Sequence, residues 1–419
     1  MTPISRLITG LSIITVIVLS GCKDSCETQH TYTFFEPVYI TLNEVRSGFQ
    51  VTDPQPITNL GKIYLYGSTM LVNEVGEGVH IINNADPGNP IILKFIKIPG
   101  NFDIAVKDNV LFADSYIDLL SIDISDIDQI KLIHREENAF PGYNTQFGFT
   151  ADQGNVITSW VEKETVEITK DCRYSGAVIS LGFGVAMDAA SSFESSIGGP
   201  VGMGGSMARF AIQKQFLYAV DSYEMHIFDI SNSALPQKSN SIGIGWEVET
   251  IFPYKDKIFI GTRSGMFIYD SQIPGDPQFL SEFIHATACD PVVANDNYAF
   301  VTLRSGTPCE GFVNELNIID IENIANPVLL KKIPMNNPHG LGLDGNTLFI
   351  CEGEFGLKIY DISDIDRPAL IKNVINIQVH DVIAWQGILI AIGEEGVYQY
   401  DYSNLDEISL LSFIQFDSK

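Results

Sequence analysis

The chain has 419 residues, with 52 acidic and 25 basic side chains and a formal net charge of −27 at pH 7. A body this acidic repels phosphate backbones, so the composition argues against nucleic acid as a partner. The same charge keeps an exposed protein soluble and attracts cations.

The first 21 residues have the pattern of a lipoprotein signal peptide. Arg6 supplies positive charge, and the mostly apolar run that follows, from Leu7 to Leu19, is too short for a comfortable membrane span. The run ends in Leu-Ser-Gly-Cys at 19–22, a lipobox, which predicts cleavage and lipid modification at Cys22. Several acyl chains there would attach the protein durably, since each buried CH₂ contributes about 0.8 kcal/mol. An ordinary signal peptide followed by a chance cysteine is the alternative.

Beyond the signal peptide, the chain divides into a tether and a folded body. Residues 22–36 are polar and short of apolar side chains, which is typical of a tether. We expect the folded body over residues 37–419. Residues 173–206 interrupt it with many Gly, Ser and Ala and few charges, which predicts an inserted flexible loop. Packing of this stretch over one face of the body is the alternative.

One short pattern returns seven times: an apolar strand ends in Asp or Asn, and the chain then turns a corner. We call these seven positions the corner residues; they are Asn83, Asp123, Asp229, Asp270, Asp320, Asp361 and Asp401. Most of them lie 40 or 41 residues apart, and five of the seven have Pro seven positions later. A period near 40 with strand-like content predicts a β-propeller or a similar array.

Each repeat has the pattern of a four-stranded blade. The repeat that contains Asp361 reads as strands at 341–343, 347–351, 357–362 and 369–374. An Asp-Gly-Asn turn at 344–346 is a strong hairpin signal. The third strand is apolar at nearly every position, as expected for a sheet covered on both faces. The Asp361 side chain can accept a backbone N–H bond as the chain leaves this strand.

The number of blades depends on how residues 144–171 are interpreted. They resemble a degraded repeat, with an Asp-Gln-Gly-Asn turn at 152–155. Counting them gives eight blades, which the sequence favours, and leaving them out gives seven, the alternative. In both cases the predicted fold is an all-β propeller of four-stranded blades.

The repeat also resembles a known family. Leu-Lys-Ile-Tyr followed by Asp-Ile-Ser-Asp-Ile-Asp-Arg-Pro at 361–368 is similar to the LVIVD-repeat family of bacterial β-propellers. The run Gly-Gly-Ser-Met-Ala-Arg-Phe at 204–210 resembles the lipoprotein members found in Bacteroidetes. The resemblance covers residues 57–416 and implies a propeller and an extracytoplasmic location. It supplies no settled activity and no catalytic residues.

The cysteines suggest one disulfide bond. An extracytoplasmic compartment permits disulfides. Cys289 precedes the first strand of its blade and Cys309 lies in the loop after the second, so in a four-stranded meander both lie at the same end of the blade. We therefore predict a Cys289–Cys309 bond. Cys351 ends a strand and is expected to be a small buried apolar residue.

Polar residues gather where first strands begin. They are Asp103, Asp290, His339, His380 and Asp381. Since first strands line the channel of a propeller, we expect these residues to converge at one mouth of the ring. There they could hold a divalent cation or an anionic ligand. The simpler interpretation, that they cap backbone groups around the channel, is favoured, so no metal ligand and no cofactor is assigned.

Two functional hypotheses follow. The first is a monomeric binding or scaffold propeller, held by Cys22 in the outer membrane, at the cell surface or the periplasmic face, with a protein or glycan partner. The second is a propeller hydrolase or lyase with a metal at the channel mouth. We favour the first, because the sequence has no Gly-x-Ser-x-Gly elbow, no His-Glu-x-x-His and no phosphate loop. Convergence of His339, His380 and an aspartate on one point would favour the second.

Overall fold

The structure is a computed structural model that describes residues 28–146, 149–169, 202–245, 248–285, 291–306 and 312–417. Seven four-stranded antiparallel blades follow one another along this part of the chain and form a propeller ring. Internal contacts divide the chain into two compact units, residues 1–36 with 160–181 and residues 37–159 with 182–419. The larger unit contains all seven blades. Among the described residues, no helix has the length and apolar character needed to cross a bilayer.

The described chain begins with a strand, β1 (Thr28–Thr41), a short helix, α1 (Leu42–Ser47), and a second strand, β2 (Gln50–Thr52). The helix begins with a capping box. The Thr41 hydroxyl accepts a bond from the Glu44 N–H at 3.2 Å, and the Glu44 carboxylate accepts the Thr41 N–H at 3.0 Å.

The first two blades are continuous in sequence. Blade one is formed by β3 (Leu60–Tyr66), β4 (Thr69–Glu74), β5 (Gly78–Asn83) and β6 (Ile91–Lys97). Blade two is formed by β7 (Ile104–Lys107), β8 (Val110–Ser115), β9 (Asp118–Asp123) and β10 (Lys131–Glu136). β2 pairs with the outer strand β6 and so extends blade one.

The described residues of the range 144–171, which are 144–146 and 149–169, form no four-stranded blade, so the eight-blade prediction is wrong and the seven-blade alternative is correct. A 3₁₀ turn (Pro141–Asn144) leads into a small hairpin of β11 (Thr145–Gln146) and β12 (Phe149–Thr150). The next strand, β13 (Asn155–Thr169), pairs with β1 instead of with a neighbour in sequence. The physical reason lies in Glu162-Lys163-Glu164: a strand with these charges cannot be covered on both faces between two blades.

A two-residue strand, β14 (Met203–Gly204), precedes the remaining blades. Blade three is β15 (Phe210–Gln213), β16 (Phe216–Val220), β17 (Glu224–Asp229) and β18 (Gln237–Gly243). Blade four is β19 (Val248–Tyr254), β20 (Lys257–Thr262), β21 (Gly265–Asp270) and β22 (Gln278–Ile284). Blade five is β23 (Val292–Ala294), β24 (Tyr298–Leu303), β25 (Glu315–Asp320) and β26 (Val328–Pro334).

The last two blades complete the ring. Blade six is β27 (Leu341–Asp344), β28 (Thr347–Cys351), β29 (Leu357–Asp361) and β30 (Ala369–Val374). Blade seven is β31 (Val379–Trp385), β32 (Ile388–Gly393), β33 (Gly396–Asp401) and β34 (Ser409–Gln415), with a 3₁₀ turn (Leu405–Glu407) before its last strand.

All seven corner residues have the predicted mechanical role. In every blade the side-chain oxygen of the corner residue accepts the backbone N–H two residues later, at 2.8–3.0 Å. The bond from the Ser363 N–H lowers the pKa of Asp361, and bonds from the Ser403 hydroxyl and then its N–H lower the pKa of Asp401, because they favour the ionised carboxylate. Since each corner side chain is occupied in this way, none of these positions is a candidate ligand site.

The ring closes without exchange of a strand between its first and last blades. The Asp417 N–H donates to the Ile57 carbonyl at 3.0 Å. Asn84 and Gln399 exchange two side-chain hydrogen bonds of 2.9 and 2.7 Å between blades one and seven, in a buried position. Blades one and seven are therefore joined by these hydrogen bonds and by a cluster of buried apolar side chains from both blades.

The last residues of the predicted insertion lie inside the ring. We call residues 202–208 the channel segment. Its strand β14 pairs with β3, the inner strand of blade one. Further backbone bonds join Gly202 to Val106 of blade two and Ala208 to Ile251 of blade four. Because contacts to several inner strands are possible only on the ring axis, this segment occupies the central channel.

The expectation of a flexible loop over 173–206 therefore does not hold for residues 202–206, which are mostly buried. Residues 173–201 lie outside the described part of the chain. Glycine permits this close packing: a Cβ at Gly205 would lie 1.9 Å from the Asp381 carboxylate. The low charge and small side chains of this stretch suggested mobility. In residues 202–206 they instead allow the chain to pack closely inside the channel.

Cys351 is a free thiol at the end of β28, fully buried, as predicted. In the described part of the chain there is no disulfide. Cys289 and Cys309 both lie outside the described residues, so their pairing stays a prediction.

Candidate functional site

The predicted polar residues do not converge on one point. Asp381 contacts the channel segment and Asp103 contacts Arg209, directly after that segment, while His339 and His380 lie together in a separate cleft. Asp290 lies outside the described residues. The following paragraphs treat first the channel and then the cleft.

Asp103 forms a buried ion pair with Lys62 on the inner strand of blade one. Both residues are at least 95% buried: Lys62 is 5% exposed and Asp103 2% exposed. The same carboxylate accepts the N–H of Ile104 at 2.8 Å and the N–H of Arg209 at 2.5 Å. Burial lowers the pKa of Lys62, and the attraction of Asp103 opposes that shift. The Asp103 carboxylate therefore joins blade one, blade two and the entrance to blade three.

Asp114 lies next to this pair and supports the chain that leads into blade two. It accepts hydrogen bonds from the Asn101 amide, the Phe102 N–H and the Asp103 N–H at 2.7–3.0 Å. Burial nevertheless raises the pKa of Asp114 to about 7, with the nearby Asp103 charge acting in the same direction. Asp114, a second carboxyl group near Asp103, can therefore be protonated near neutral pH.

Asp381 holds the channel segment from blade seven. It accepts the N–H of Ser206 at 3.0 Å and the hydroxyl of Ser206 at 3.2 Å. The Ser206 hydroxyl in turn accepts the N–H of Leu341 from blade six at 2.6 Å. Asp381 is 1% exposed, and burial raises its pKa to about 8. Both predicted aspartates in the described chain therefore cap backbone groups, which is the simpler of the two interpretations given above.

The two histidines come from neighbouring blades. His339 lies two positions before the first strand of blade six, and His380 lies on β31 of blade seven; their ring centroids are 4.7 Å apart. Arg304, which follows β24 of blade five, donates to His339 Nδ1 at 2.9 Å. Burial, with the positive charge of Arg304, lowers the pKa of His339 to about 2, so this ring is neutral and accepts the guanidinium bond.

Backbone hydrogen bonds hold this arrangement in place. The His339 N–H donates to the Cys351 carbonyl at 2.7 Å, and the Thr302 hydroxyl donates to the His339 carbonyl at 2.7 Å. The Gly340 N–H donates to the His380 carbonyl at 2.8 Å. These backbone bonds therefore connect blades five, six and seven at the point where Arg304, His339 and His380 meet.

An open cleft of about 490 Å³ surrounds these residues. Its lining consists of Arg304, Ser305, Gly306, Asn337, His339, Gly353, Glu354, Gln378, His380 and Glu394. Amides, imidazoles, a guanidinium and carboxylates all face this space, so the cleft offers both hydrogen-bond donors and acceptors. Glu394 stands 3.8 Å from His380 Nε2 and is largely exposed, so the rim is accessible to solvent. We call this space the blade 5–7 cleft.

The described residues contain no group of three or more His, Cys, Asp or Glu side chains that could hold a metal ion. His339 accepts from Arg304, and a cationic guanidinium beside an imidazole opposes the binding of a metal cation there. What the cleft can do, on its chemistry, is bind a polar ligand by hydrogen bonds at a solvent-accessible rim.

Sequence reasoning missed Lys62, Arg304 and Ser206. Lys62 gives a weak signal, a lone lysine in the apolar strand Leu60–Tyr66. Arg304 follows a second strand in the same way that Gly353 does, and comparison of loops between repeats would have placed it on the same face. Ser206 gave no signal, because its role depends on contacts with blades that are distant in sequence.

The fold and the cleft define the class of protein: a seven-bladed β-propeller with residues 202–208 in its channel and a polar cleft at blades five to seven. No protein-family model and no curated protein matches the chain.

Among solved structures, the chain is similar to the computationally designed Ika8 protein, with a TM-score of 0.51, 10% identity, and coverage of 87% of this chain and 93% of that one. It is also similar to Sqt1 of Saccharomyces cerevisiae (TM-score 0.49, 9% identity, 88% of each chain). A third similar structure is BamB of Moraxella catarrhalis (TM-score 0.47, 7% identity, 87% and 97%). At 10% identity the similarity to Ika8 shows the fold alone. The similarities to Sqt1 and BamB have lower TM-scores and carry no further argument.

Proposed function

We propose that the mature protein is an outer-membrane lipoprotein whose propeller, of the LVIVD-repeat type, binds a polar ligand, a glycan or a protein surface, in the blade 5–7 cleft. The observation that carries the binding role is the cleft itself. Three blades contribute Arg304, His339 and His380 to a solvent-accessible space with mixed donors and acceptors. The lipobox at 19–22 supports the anchoring role, and it is independent of the cleft.

The cleft suits binding because it combines buried groups at its floor with exposed groups at its rim. Arg304 and His339 are each less than 10% exposed and are fixed by neighbouring blades, so they offer a preorganised floor. His380 and Glu394 stand at the rim, with side chains 28% and 63% exposed, and can adapt to a ligand. A rigid ring presenting such a space favours recognition of polar groups.

The binding role predicts that His380→Ala weakens binding without unfolding the ring. Ligands are first found with the mature chain on an oligosaccharide array and by crosslinking on intact cells; affinities are then measured for the variant. We expect a loss of about tenfold or more, equivalent to about 1.4 kcal/mol. His134→Ala is the matched control, since its side chain is similarly exposed (23%) and also faces a carboxylate, Glu136, but lies on β10.

If His380→Ala and His134→Ala bind the ligand with equal affinity, the cleft is not the binding site. The competing function, a hydrolase or lyase with a metal, would gain if the purified protein held a stoichiometric metal that His339→Ala released together with a measured hydrolytic activity. Metal content is therefore determined on the same samples.

The anchoring role predicts that Cys22→Ser changes the location of the protein. Without the thiol no acyl chain can be attached, so the variant should appear in the soluble fraction or as an uncleaved precursor. Cys26→Ser, four positions later, is the control and should stay in the membrane fraction. Cell fractionation with detection of the chain gives the result, and a processed, membrane-bound Cys22→Ser protein would contradict the proposal.

A further inference from the structure

Blade three carries a carboxylate, an imidazole and a hydroxyl in one hydrogen-bonded row. His226 lies on β17, the third strand of the blade, and is fully buried. Its Nε2 lies 2.9 Å from Asp221 Oδ2, and its Nδ1 lies 3.1 Å from the Ser241 hydroxyl on β18. His226 and Ser241 are direct partners across the two strands, so their side chains lie on the same face of the sheet. This is the order of groups in the Ser-His-Asp triad of acyl-transfer enzymes.

Asp221 is held so that one of its oxygens faces the imidazole. Its Oδ1 accepts the N–H groups of Tyr223 and Glu224, each at 2.9 Å, in the turn between β16 and β17. Burial opposes ionisation, but the bonds from His226 and from these two N–H groups outweigh it and lower the pKa of Asp221. The group that faces His226 Nε2 is therefore a carboxylate, which can only accept a hydrogen bond.

The neighbours of His226 fix its tautomer. Because the Asp221 carboxylate only accepts, the ring carries a proton on Nε2. Lys238 Nζ, which only donates, lies 3.2 Å from Nδ1, so Nδ1 presents its lone pair to donors. The Ser241 hydroxyl faces the same lone pair. An imidazole in this state can act as a general base toward that hydroxyl.

The surroundings of Ser241 suit a nucleophile. Ser241 is exposed, so a substrate can reach its hydroxyl from solvent. Lys238, which also donates to the Ala139 carbonyl at 3.0 Å, brings a positive charge close to the hydroxyl, where it would stabilise an oxyanion. Glu224 Oε2 lies 3.8 Å from His226 Nδ1 and favours the imidazolium that forms when the ring takes up a proton.

The other blades show that this row is not a requirement of the repeat. The position three residues before each corner residue, which the structure describes in all seven blades, is occupied in chain order by His80, Leu120, His226, Phe267, Asn317, Lys358 and Tyr398. His80 also lies beside a carboxylate, that of Glu74, at 3.3 Å, but its partner on the outer strand is Phe95. At this position blade three alone joins an imidazole to a hydroxyl.

We propose that Asp221, His226 and Ser241 form a hydrolytic site for small carboxylic esters, independent of the blade 5–7 cleft and of the lipid anchor. Ser241 Oγ forms a bond to the ester carbonyl carbon while its proton passes to His226 Nδ1. The ester C–O bond then breaks, the departing alkoxide takes the proton from His226, and an acyl-serine remains. Water, which gives a proton to the same nitrogen, attacks the acyl carbon and releases the carboxylic acid and free Ser241. An exposed serine on an outer strand suits a short acyl group, such as acetyl, carried on a larger molecule.

The test is covalent labelling of the mature chain with a fluorophosphonate, which reacts with serines that a general base activates. We expect an adduct on Ser241, located by peptide mass spectrometry, and none in Ser241→Ala, which removes only an exposed hydroxyl. Asp221→Asn should slow labelling about hundredfold or more, because the amide no longer fixes the tautomer of His226. Ser239→Ala, at an exposed serine on the same strand, is the matched control and should be labelled like the wild type.

Turnover is measured on the same proteins with p-nitrophenyl acetate. We expect hydrolysis that Ser241→Ala removes and Ser239→Ala leaves unchanged. Circular dichroism shows whether each variant is folded; should Asp221→Asn not fold, His226→Gln, which is polar but cannot act as a base, replaces it. Absence of an adduct on Ser241, equal labelling of wild type and the folded Asp221 or His226 variant, or hydrolysis at the wild-type rate in Ser241→Ala would each overturn the proposal.

Discussion

Lys62→Met is expected to destabilise the ring by about 3–5 kcal/mol, because it leaves the Asp103 carboxylate buried without its charged partner. Asp103 is 2% exposed and accepts the N–H of Arg209, directly after the channel segment, so it cannot be rehydrated without moving the chain there. Equilibrium unfolding in urea, followed by far-ultraviolet circular dichroism, gives the free energy of unfolding.

The double variant Lys62→Met/Asp103→Asn distinguishes two effects of Lys62→Met: the unpaired charge left on Asp103 and the changed side-chain packing at position 62. The asparagine carries no charge, but its single oxygen can accept only one of the two N–H groups, of Ile104 and Arg209, that the two carboxylate oxygens accept. We therefore expect the double variant to recover part of the loss, because no unpaired charge stays buried. If Lys62→Met alone changes the free energy of unfolding by less than about 1 kcal/mol, the pair does not have the structural role assigned to it here.

Titration of Asp381 should contribute a loss of stability as pH rises from about 4 to about 8, and Asp381→Asn should remove that contribution. Burial raises the pKa of Asp381 to about 8 in the folded protein, whereas an unfolded aspartate has a pKa near 3.9. Between these values the folded state binds more protons than the unfolded state, so the free energy of unfolding decreases with pH. Each pKa unit corresponds to about 1.4 kcal/mol, so the change amounts to several kcal/mol.

Asp381→Asn keeps an oxygen that can accept from Ser206 and removes the titration. Asp114, whose pKa is raised to about 7, contributes in the same direction, and His339, whose pKa is lowered to about 2, contributes in the opposite direction below about pH 6.5, so the test is the difference in slope between wild type and variant. Asp361→Asn is the control: its corner carboxylate is exposed and its pKa is lowered, so the variant should keep the wild-type fall. Urea unfolding at a series of pH values measures both slopes, and parallel curves for wild type and Asp381→Asn would refute the assignment.

Local features of this protein are readable from the sequence because each repeat specifies its own blade. The corner residues could be predicted, since the bond from a side-chain oxygen to an N–H two residues later is local and recurs in all seven blades. The burial of Cys351 also followed from its position in an apolar strand. The four candidate polar residues that the structure describes, Asp103, His339, His380 and Asp381, lie at or near strand starts, but they do not form one group.

Grouping depends on contacts that join distant parts of the chain. Arg304, His339 and His380 meet because blades five, six and seven stack, and Asp381 turns to Ser206, which lies 175 positions earlier in the sequence. No local pattern encodes which of several similar loops face one another. The sequence therefore supplied candidate chemistry, and the packing of blades decided which side chains share a site.

By itself, the sequence determined the class of fold, the four-stranded repeat and its corners, because these depend on residues within about 40 positions of each other. Only the tertiary structure decided the number of blades, the pairing of β1 with β13 and the position of the channel segment. β13 finds its partner more than 100 residues away, and residues 202–208 are held by inner strands from across the ring. Such pairings arise from the free energy of burial and hydrogen bonding over the whole ring, which no single stretch contains.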